Sequence, residues 1–385
     1  MTKILTLNKI AAIGLNQLDK AVYDIADNHE NPEAILLRSA SMHDMELPAT
    51  LKAVGRAGAG VNNIPIDKCT EKGIVVFNTP GANANAVKEL AICGLLLSSR
   101  KVVDGINWAQ TLSGDDVGKQ VEKGKAAFVG PEISGKKLGI IGLGAIGVLL
   151  ANSAAGLGME VAGFDPYISV DAAWGLSARV KKAASLKEIY ETCDYISIHV
   201  PLNSETKGMF NSEVFEQTKK GVRILNFARA ELVDQAALLK ALEDGTVSCY
   251  VTDFLTEGVL RHKNIIPIPH LGASTPESED NCAQMAVYEI KEYLEKGNII
   301  NSVNFPACVL DRAAGERVCI IHENIPNMLG QISSLFAGEN INIVDMISKS
   351  RGNVAYTVVD VEASANSVAE KIKGIKEIIS VRVIK

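Results

Sequence analysis

The stretch Lys136–Asp165, KKLGIIGLGAIGVLLANSAAGLGMEVAGFD, decides the fold. Leu138–Ile141 is a short apolar run of the kind a fully buried strand shows. It enters Gly142-Leu143-Gly144-Ala145-Ile146-Gly147, which fits G-x-G-x-x-G. Apolar residues at helical spacing follow (Ile146, Leu149, Leu150, Ala154), and a second strand, Glu160–Phe164, ends at Asp165. Each part has a physical task in holding a dinucleotide. Gly142 permits the tight turn, Gly144 lets backbone approach a pyrophosphate, and Gly147 lets helix and strand pack closely. The helix start, through Ala145 and Ile146, offers unpaired N–H groups and the positive end of a dipole to the phosphates. Asp165 is placed to accept hydrogen bonds from a ribose and repels a 2′-phosphate, which predicts NAD rather than NADP.

The whole chain sets the frame. Its 385 residues suggest two or three domains, and its composition (47% hydrophobic, 22% charged) is that of a globular protein. A net charge of −6 with no long basic run argues against nucleic-acid or anionic-membrane partners. The start, MTKILTLNKI, lacks the apolar core of a signal peptide, and no apolar run reaches the length of a membrane span. Seven singly scattered cysteines with no C-x-x-C read as reduced thiols, so a cytoplasmic location and no metal site are expected.

Upstream, Ala34–Leu37 reads as a strand ending in Arg38, and Leu51–Val54 as one ending in the Gly-rich Gly55–Gly60 around Arg56. Ile74–Phe77 precedes Asn78-Thr79-Pro80. This βα rhythm predicts a parallel sheet with ligands at the carboxyl ends of its strands. Arg38 stands at such an end as either an anion ligand or a solvated charge. Arg56 has glycines nearby whose N–H groups also suit an anion. A long buried helix is expected from Ala84 to about Arg100, then a mobile polar loop over Leu112–Lys125.

Downstream of Asp165, three further strand ends deliver chemistry. Gly221–Phe227 leads to Arg229, Ser248–Thr252 to Asp253 with Glu257 four residues later, and Ile265–Ile268 to His270. Those residue types suit hydride transfer at a 2-hydroxy acid. A histidine, with an ordinary pKa of about 6.5, takes the hydroxyl proton and returns it in reverse. A neighbouring carboxylate orients the ring and favours the imidazolium. A guanidinium grips the substrate carboxylate through paired hydrogen bonds. His270 is thus read as acid/base, Glu257 as its partner and Arg229 as the clamp. His199, before Pro201, is a rival base, a cofactor contact or a packing residue.

Taken together, Asn78-Thr79-Pro80, Gly142–Gly147, His199-Val200-Pro201-Leu202, Asn226–Asp234 and Pro269–Thr275 resemble the signatures of the D-isomer-specific 2-hydroxy-acid dehydrogenases. The resemblance implies an α/β architecture: a Rossmann-type NAD domain, about 101–278, inserted into a flavodoxin-like substrate domain of 1–100 and 279–302. It implies a site in the cleft between them, Arg229, Glu257 and His270 in the roles above, and Asp253 near the nicotinamide. It also implies His199 and Pro201 on the cofactor and Asn78 on the substrate. Four features depart from the family pattern: Ala145 stands where an arginine is usual, Gly258 follows Glu257 where proline is usual, the segment from Asp253 to Glu257 is one residue short, and Leu112–Gln120 lacks the aromatic-basic pattern often seen there.

Residues 303–316 read as a linker, and 317–385 as βαββαβ, resembling an ACT domain, a small-ligand module that pairs with a second copy. His322, Asn324 and Asn342 match serine-binding positions of ACT-bearing family members. Such a tail implies L-serine as effector, a homodimer or homotetramer, and a phosphorylated 2-hydroxy acid as substrate, with Arg56 near the phosphate. Other branches of the family reduce unphosphorylated 2-oxo acids, and some members only sense NAD.

Overall fold

The computed structural model describes residues 1–312 and 315–385, in two compact units. The first comprises Met1–Asn83 with Pro276–Lys385, and the second Ala84–Thr275. Ala313 and Ala314 of the expected linker lie outside the described residues.

In the first unit, strands β1 (Thr2–Thr6), β2 (Tyr23–Ala26), β3 (Ala34–Leu37), β4 (Ala53–Arg56) and β5 (Val75–Phe77) form a parallel sheet ordered β2-β1-β3-β4-β5. That is the flavodoxin-like order. β3 is buried at every position, as its unbroken apolar run requires for a strand covered on both faces. The 21-residue helix Pro276–Lys296 closes one face. Ala283, Ala286, Val287 and Ile290 lie on one side at helical spacing and are buried against this core.

In the second unit, β6 (Lys137–Ile141), β7 (Glu160–Phe164), β8 (Lys181–Lys182), β9 (Tyr195–Ile198), β10 (Val222–Asn226), β11 (Val247–Thr252) and β12 (Ile265–Pro267) are all parallel. Their order, β12-β11-β10-β9-β6-β7-β8, reverses between β6 and β9, the switch point of a doubly wound sheet. The helix Ala84–Arg100, expected with the substrate domain, belongs to this unit. Its Gly94 brings the backbone against Leu225, Phe227 and Val251. The expected loop over Leu112–Lys125 is instead largely structured. Helix Val117–Gly124 and a 3₁₀ turn, Lys125–Phe128, follow helix Val102–Ala109. Trp108 packs at a tilt against Phe128, 5.2 Å between ring centres, and covers Gly124, so a few apolar contacts order a stretch whose composition is polar.

The C-terminal strands β13 (Glu316–Glu323), β14 (Ile343–Arg351), β15 (Val354–Val361) and β16 (Ile378–Ile384) form an antiparallel sheet ordered β14-β15-β13-β16, with two helices completing βαββαβ. This sheet does not hang on a free linker. Tyr356 donates to the Gly297 carbonyl, and Arg382 lies over the Tyr293 ring and donates to the Tyr293 and Leu294 carbonyls. Fully buried Arg317 pairs with Asp360 through Nε (2.6 Å) and Nη2 (2.7 Å), and its Nη1 donates to the Lys296 carbonyl. These bonds satisfy carbonyls that the end of helix Pro276–Lys296 leaves open.

Candidate active site

The glycine turn has the geometry its sequence demands. Gly142 sits at φ +93°, where a side chain is strained, and a Cβ there would press on the His199 carbonyl. A Cβ on Gly147 would collide with the Gly142 carbonyl. A Cβ on Gly144 would meet nothing within 4 Å. That open side lies at the start of helix Ala145–Gly156, which has no side-chain cap. Unpaired first-turn N–H groups facing open space suit a pyrophosphate. Asp165 does more than wait for a ribose: Oδ2 accepts from the Leu143 N–H and Oδ1 from the Tyr167 N–H, each at 2.8 Å. It thereby ties the end of β7 to the glycine turn.

Half-buried His199 holds Nε2 at 2.8 Å from Ser197 Oγ, and desolvation pushes its pKa down to about 4. A ring neutral at physiological pH, bonded to the strand it follows, fits a packing or cofactor contact better than a base. Pro201 follows it at the exposed strand exit.

Three neighbouring strand ends assemble the polar cluster. Buried Asn226 closes the turn after β10: its Nδ2 donates to the Arg229 carbonyl at 2.8 Å, and its Oδ1 accepts from the Ala228 N–H. Arg229 is thereby held exposed, its Nη1 donating to the Ala228 carbonyl. After β11, Asp253 is 4% exposed, and its Oδ2 lies 3.6 Å from Nδ1 of His270. Burial pushes its carboxyl pKa up, against His270, backbone N–H groups and Arg229, which favour the charge. Its Oδ1 is buried without a hydrogen-bond partner. His270 is exposed, with its ring edge-on to Phe254 at 5.3 Å.

The carboxylate beside His270 is therefore Asp253, not Glu257. Glu257 is 80% exposed in the first turn of a short helix, Glu257–Leu260, and pairs with Arg261 at 2.8 Å. The segment that is one residue short enters this helix through the Thr256 cap, and an i,i+4 partner captures the side chain. Sequence reading named Asp253 but missed its pairing, because only the closeness of two strand ends creates it.

In the first unit, Arg56 Nε donates to the Arg38 carbonyl at 3.2 Å, so the two arginine-bearing strand ends meet. Arg38 Nη1 reaches Glu279 at 2.6 Å. Asn78 Nδ2 donates to the Ala59 carbonyl at 2.6 Å, a structural bond to the Gly-rich loop. In the C-terminal sheet, His322, matched above to an effector-binding position, lies on β13. It is 3% exposed, with Nδ1 on the Glu323 carbonyl and Nε2 on Thr357 Oγ1, because its position in β13 points inward. Exposed Asn324 donates to the Gly352 carbonyl, and Asn342 is exposed just before β14.

Among the described residues, no group of three or more His, Cys, Asp or Glu side chains stands together to hold a metal, and no helix is long and apolar enough to cross a membrane.

Residues 95–272 match the family model for the D-isomer specific 2-hydroxyacid dehydrogenase, NAD binding domain. A D-3-phosphoglycerate dehydrogenase of Haemophilus influenzae is 32% identical over 356 residues, covering 88% of this chain and 83% of its own. One from Bacillus subtilis is 34% identical over 332 residues, 82% of this chain and 61% of its own. Thus the chain spans three-fifths of that relative's length, and about half that of several others. The crystal structure of NAD+-bound 3-phosphoglycerate dehydrogenase from Entamoeba histolytica superposes with a TM-score of 0.62 at 26% identity, covering 79% of this chain and 98% of that one.

Proposed function

The chain belongs to the D-isomer-specific 2-hydroxyacid dehydrogenases and carries their NAD-binding domain, and from that membership we propose that it oxidises D-3-phosphoglycerate to 3-phosphohydroxypyruvate. The observation that supports the chemistry best is the His270–Asp253 pair, with its orphaned buried Oδ1, beside Arg229. The substrate is taken from the Haemophilus relative, whose likeness runs through most of both chains.

The glycine turn suits NAD: Gly144 leaves the space, Ala145, Ile146 and Gly147 the N–H groups, and Asp165 the ribose acceptor. When bound, NAD supplies the hydride acceptor. His270 removes the proton of the substrate hydroxyl. Asp253 orients the imidazole through Nδ1 and compensates the charge that the ring gains. Arg229 binds the substrate carboxylate and draws electron density from the forming carbonyl. Arg56, and Arg38 once released from Glu279, meet the phosphate. Asn78 holds the Gly-rich loop that presents Arg56, and His199 and Pro201 line the cofactor side. The C-terminal βαββαβ sheet supports reading it as an effector module for L-serine. Asn324 and Asn342 would contact the effector, and exposed β14 would pair with a second copy of the chain.

The test is NADH oxidation by the purified protein with 3-phosphohydroxypyruvate, glyoxylate and pyruvate, each with and without L-serine. A strong preference for the phosphorylated acid supports the substrate, and suppression by serine supports the effector. Turnover of all three acids without a serine response replaces the reading with a broad 2-oxo-acid reductase. NADH binding without turnover replaces it with a sensing protein.

A further inference from the structure

The carboxyl end of the first unit's parallel sheet contains a set of side-chain to backbone bonds around the turn after β3. Asn8 lies two residues beyond β1. Its Oδ1 accepts from both the Arg38 N–H (3.2 Å) and the Ala40 N–H (2.9 Å) in the turn after β3. Asn63, in the loop after β4, grips the same turn by its opposite polarity. Its Nδ2 donates to the Ala40 carbonyl (2.7 Å) and the Arg38 carbonyl (3.3 Å). The Arg38 carbonyl is also the acceptor of Arg56 Nε. Below the turn, buried Met42 donates its N–H to the Asn63 carbonyl at 2.8 Å, so the two loops are joined by main chain as well. On its other side the Arg56 guanidinium is roofed by Gly58, at φ +153°, where a Cβ would collide with Nη1.

We propose that Asn8 and Asn63 are positioning residues for Arg56: by fixing both the N–H and C=O groups of the Arg38–Ala40 turn, they set the carbonyl that orients the Arg56 guanidinium toward the substrate's phosphate. The physical need is plain. An arginine side chain gives up rotamer freedom when ordered on a ligand. A side chain already held through Nε has less to lose. Arg38–Ala40 lies just outside the sheet, at the start of the long connection from β3 to β4, and the two carboxamides bond its N–H and C=O groups. This deepens the reading of Arg56 as the phosphate group's partner and rests on it.

The experiment has two readouts. In the wild type and in Asn8→Ala, Asn8→Asp and Asn63→Ala variants, KM and kcat are measured with 3-phosphohydroxypyruvate and with hydroxypyruvate, which lacks only the phosphate. Asn8→Ala and Asn63→Ala should each raise KM for the phosphorylated acid about tenfold, the worth of one good hydrogen bond, with kcat little changed. Hydroxypyruvate kinetics should hardly move. Asn8→Asp, which still accepts both N–H groups, should stay near wild type. Added to Arg56→Ala, neither alanine change should cost anything further. In parallel, the Arg56 Nε–H resonance, assigned by its loss in Arg56→Ala, should be protected from exchange in the wild type and lose protection in Asn8→Ala and Asn63→Ala. Unchanged protection, equal losses on both acids, or losses that add to Arg56→Ala overturn the proposal. Lost protection in a protein that does not distinguish the two acids upholds the positioning and sinks the phosphoglycerate reading instead.

Discussion

Glu289 gives the sharpest quantitative prediction. It sits on the helix Pro276–Lys296, 1% exposed, with Oε1 accepting from Asn301 Nδ2 at 2.8 Å and Oε2 buried without a partner. Burial pushes its pKa from 4.5 up to about 8, only partly opposed by the Asn301 bond. The folded chain therefore keeps a proton on Glu289 that the unfolded chain loses above 4.5. Stability from this group is complete below the unfolded value and falls as pH rises toward 8. Each decade of pH inside that window is worth about 1.4 kcal/mol, so the loss between about pH 5 and pH 8 is on the order of 3 kcal/mol. Glu289→Gln, isosteric with the protonated acid, should match the wild type within about 1 kcal/mol near pH 5 and exceed it by several near pH 8. Urea unfolding at a series of pH values measures this. Far-UV circular dichroism follows the whole chain, and tryptophan fluorescence follows the second unit, where Trp108 and Trp174 both lie. A difference between variant and wild type that does not change with pH, or a variant less stable near pH 8, would refute the buried-proton account.

Three further outcomes are expected. Asp253→Asn should lower kcat by about 100-fold or more, as loss of a group serving the acid/base does, whereas Glu257→Gln should change it less than about threefold; steady-state kinetics on the two variants decides which carboxylate serves His270. Asp165→Ala should weaken NADH binding about 10- to 100-fold and narrow its margin over NADPH, since one carboxylate both accepts from the ribose and steadies the Leu143 N–H; fluorescence titration with each cofactor measures it. Arg317→Met should destabilise the first unit by about 3–5 kcal/mol, because it leaves the Asp360 carboxylate buried without its guanidinium. Arg317→Met with Asp360→Leu should recover most of that loss, and thermal melts of the single and double variants test it.

Much of the fold was legible in local pattern. The apolar run Leu138–Ile141, the glycine spacing and the acid at Asp165 are determined by backbone sterics and dipoles within thirty residues, and the structure places each as that chemistry requires. The bounds of β3 and β7 match the strands read from the sequence, because strands buried on one or both faces carry a pattern that sequence displays. β1 and β2 left no such mark: Ile4 and Tyr23 are buried in a core that the helix Pro276–Lys296 completes from more than 250 residues later.

Local pattern is enough to place Arg38, Arg56, Arg229, Asp253 and His270 at the carboxyl ends of strands. Which of them meet depends on how the strands are ordered and connected. Sheet order sets β11 beside β12, bringing Asp253 to His270, while a shortened loop sends Glu257 to solvent and Arg261. The same holds for His322, turned inward by strand register, and for Arg56, oriented through a carbonyl that belongs to Arg38. Pairings across strands depend on register and loop length, which act at long range, and neither is written in the period of any one segment.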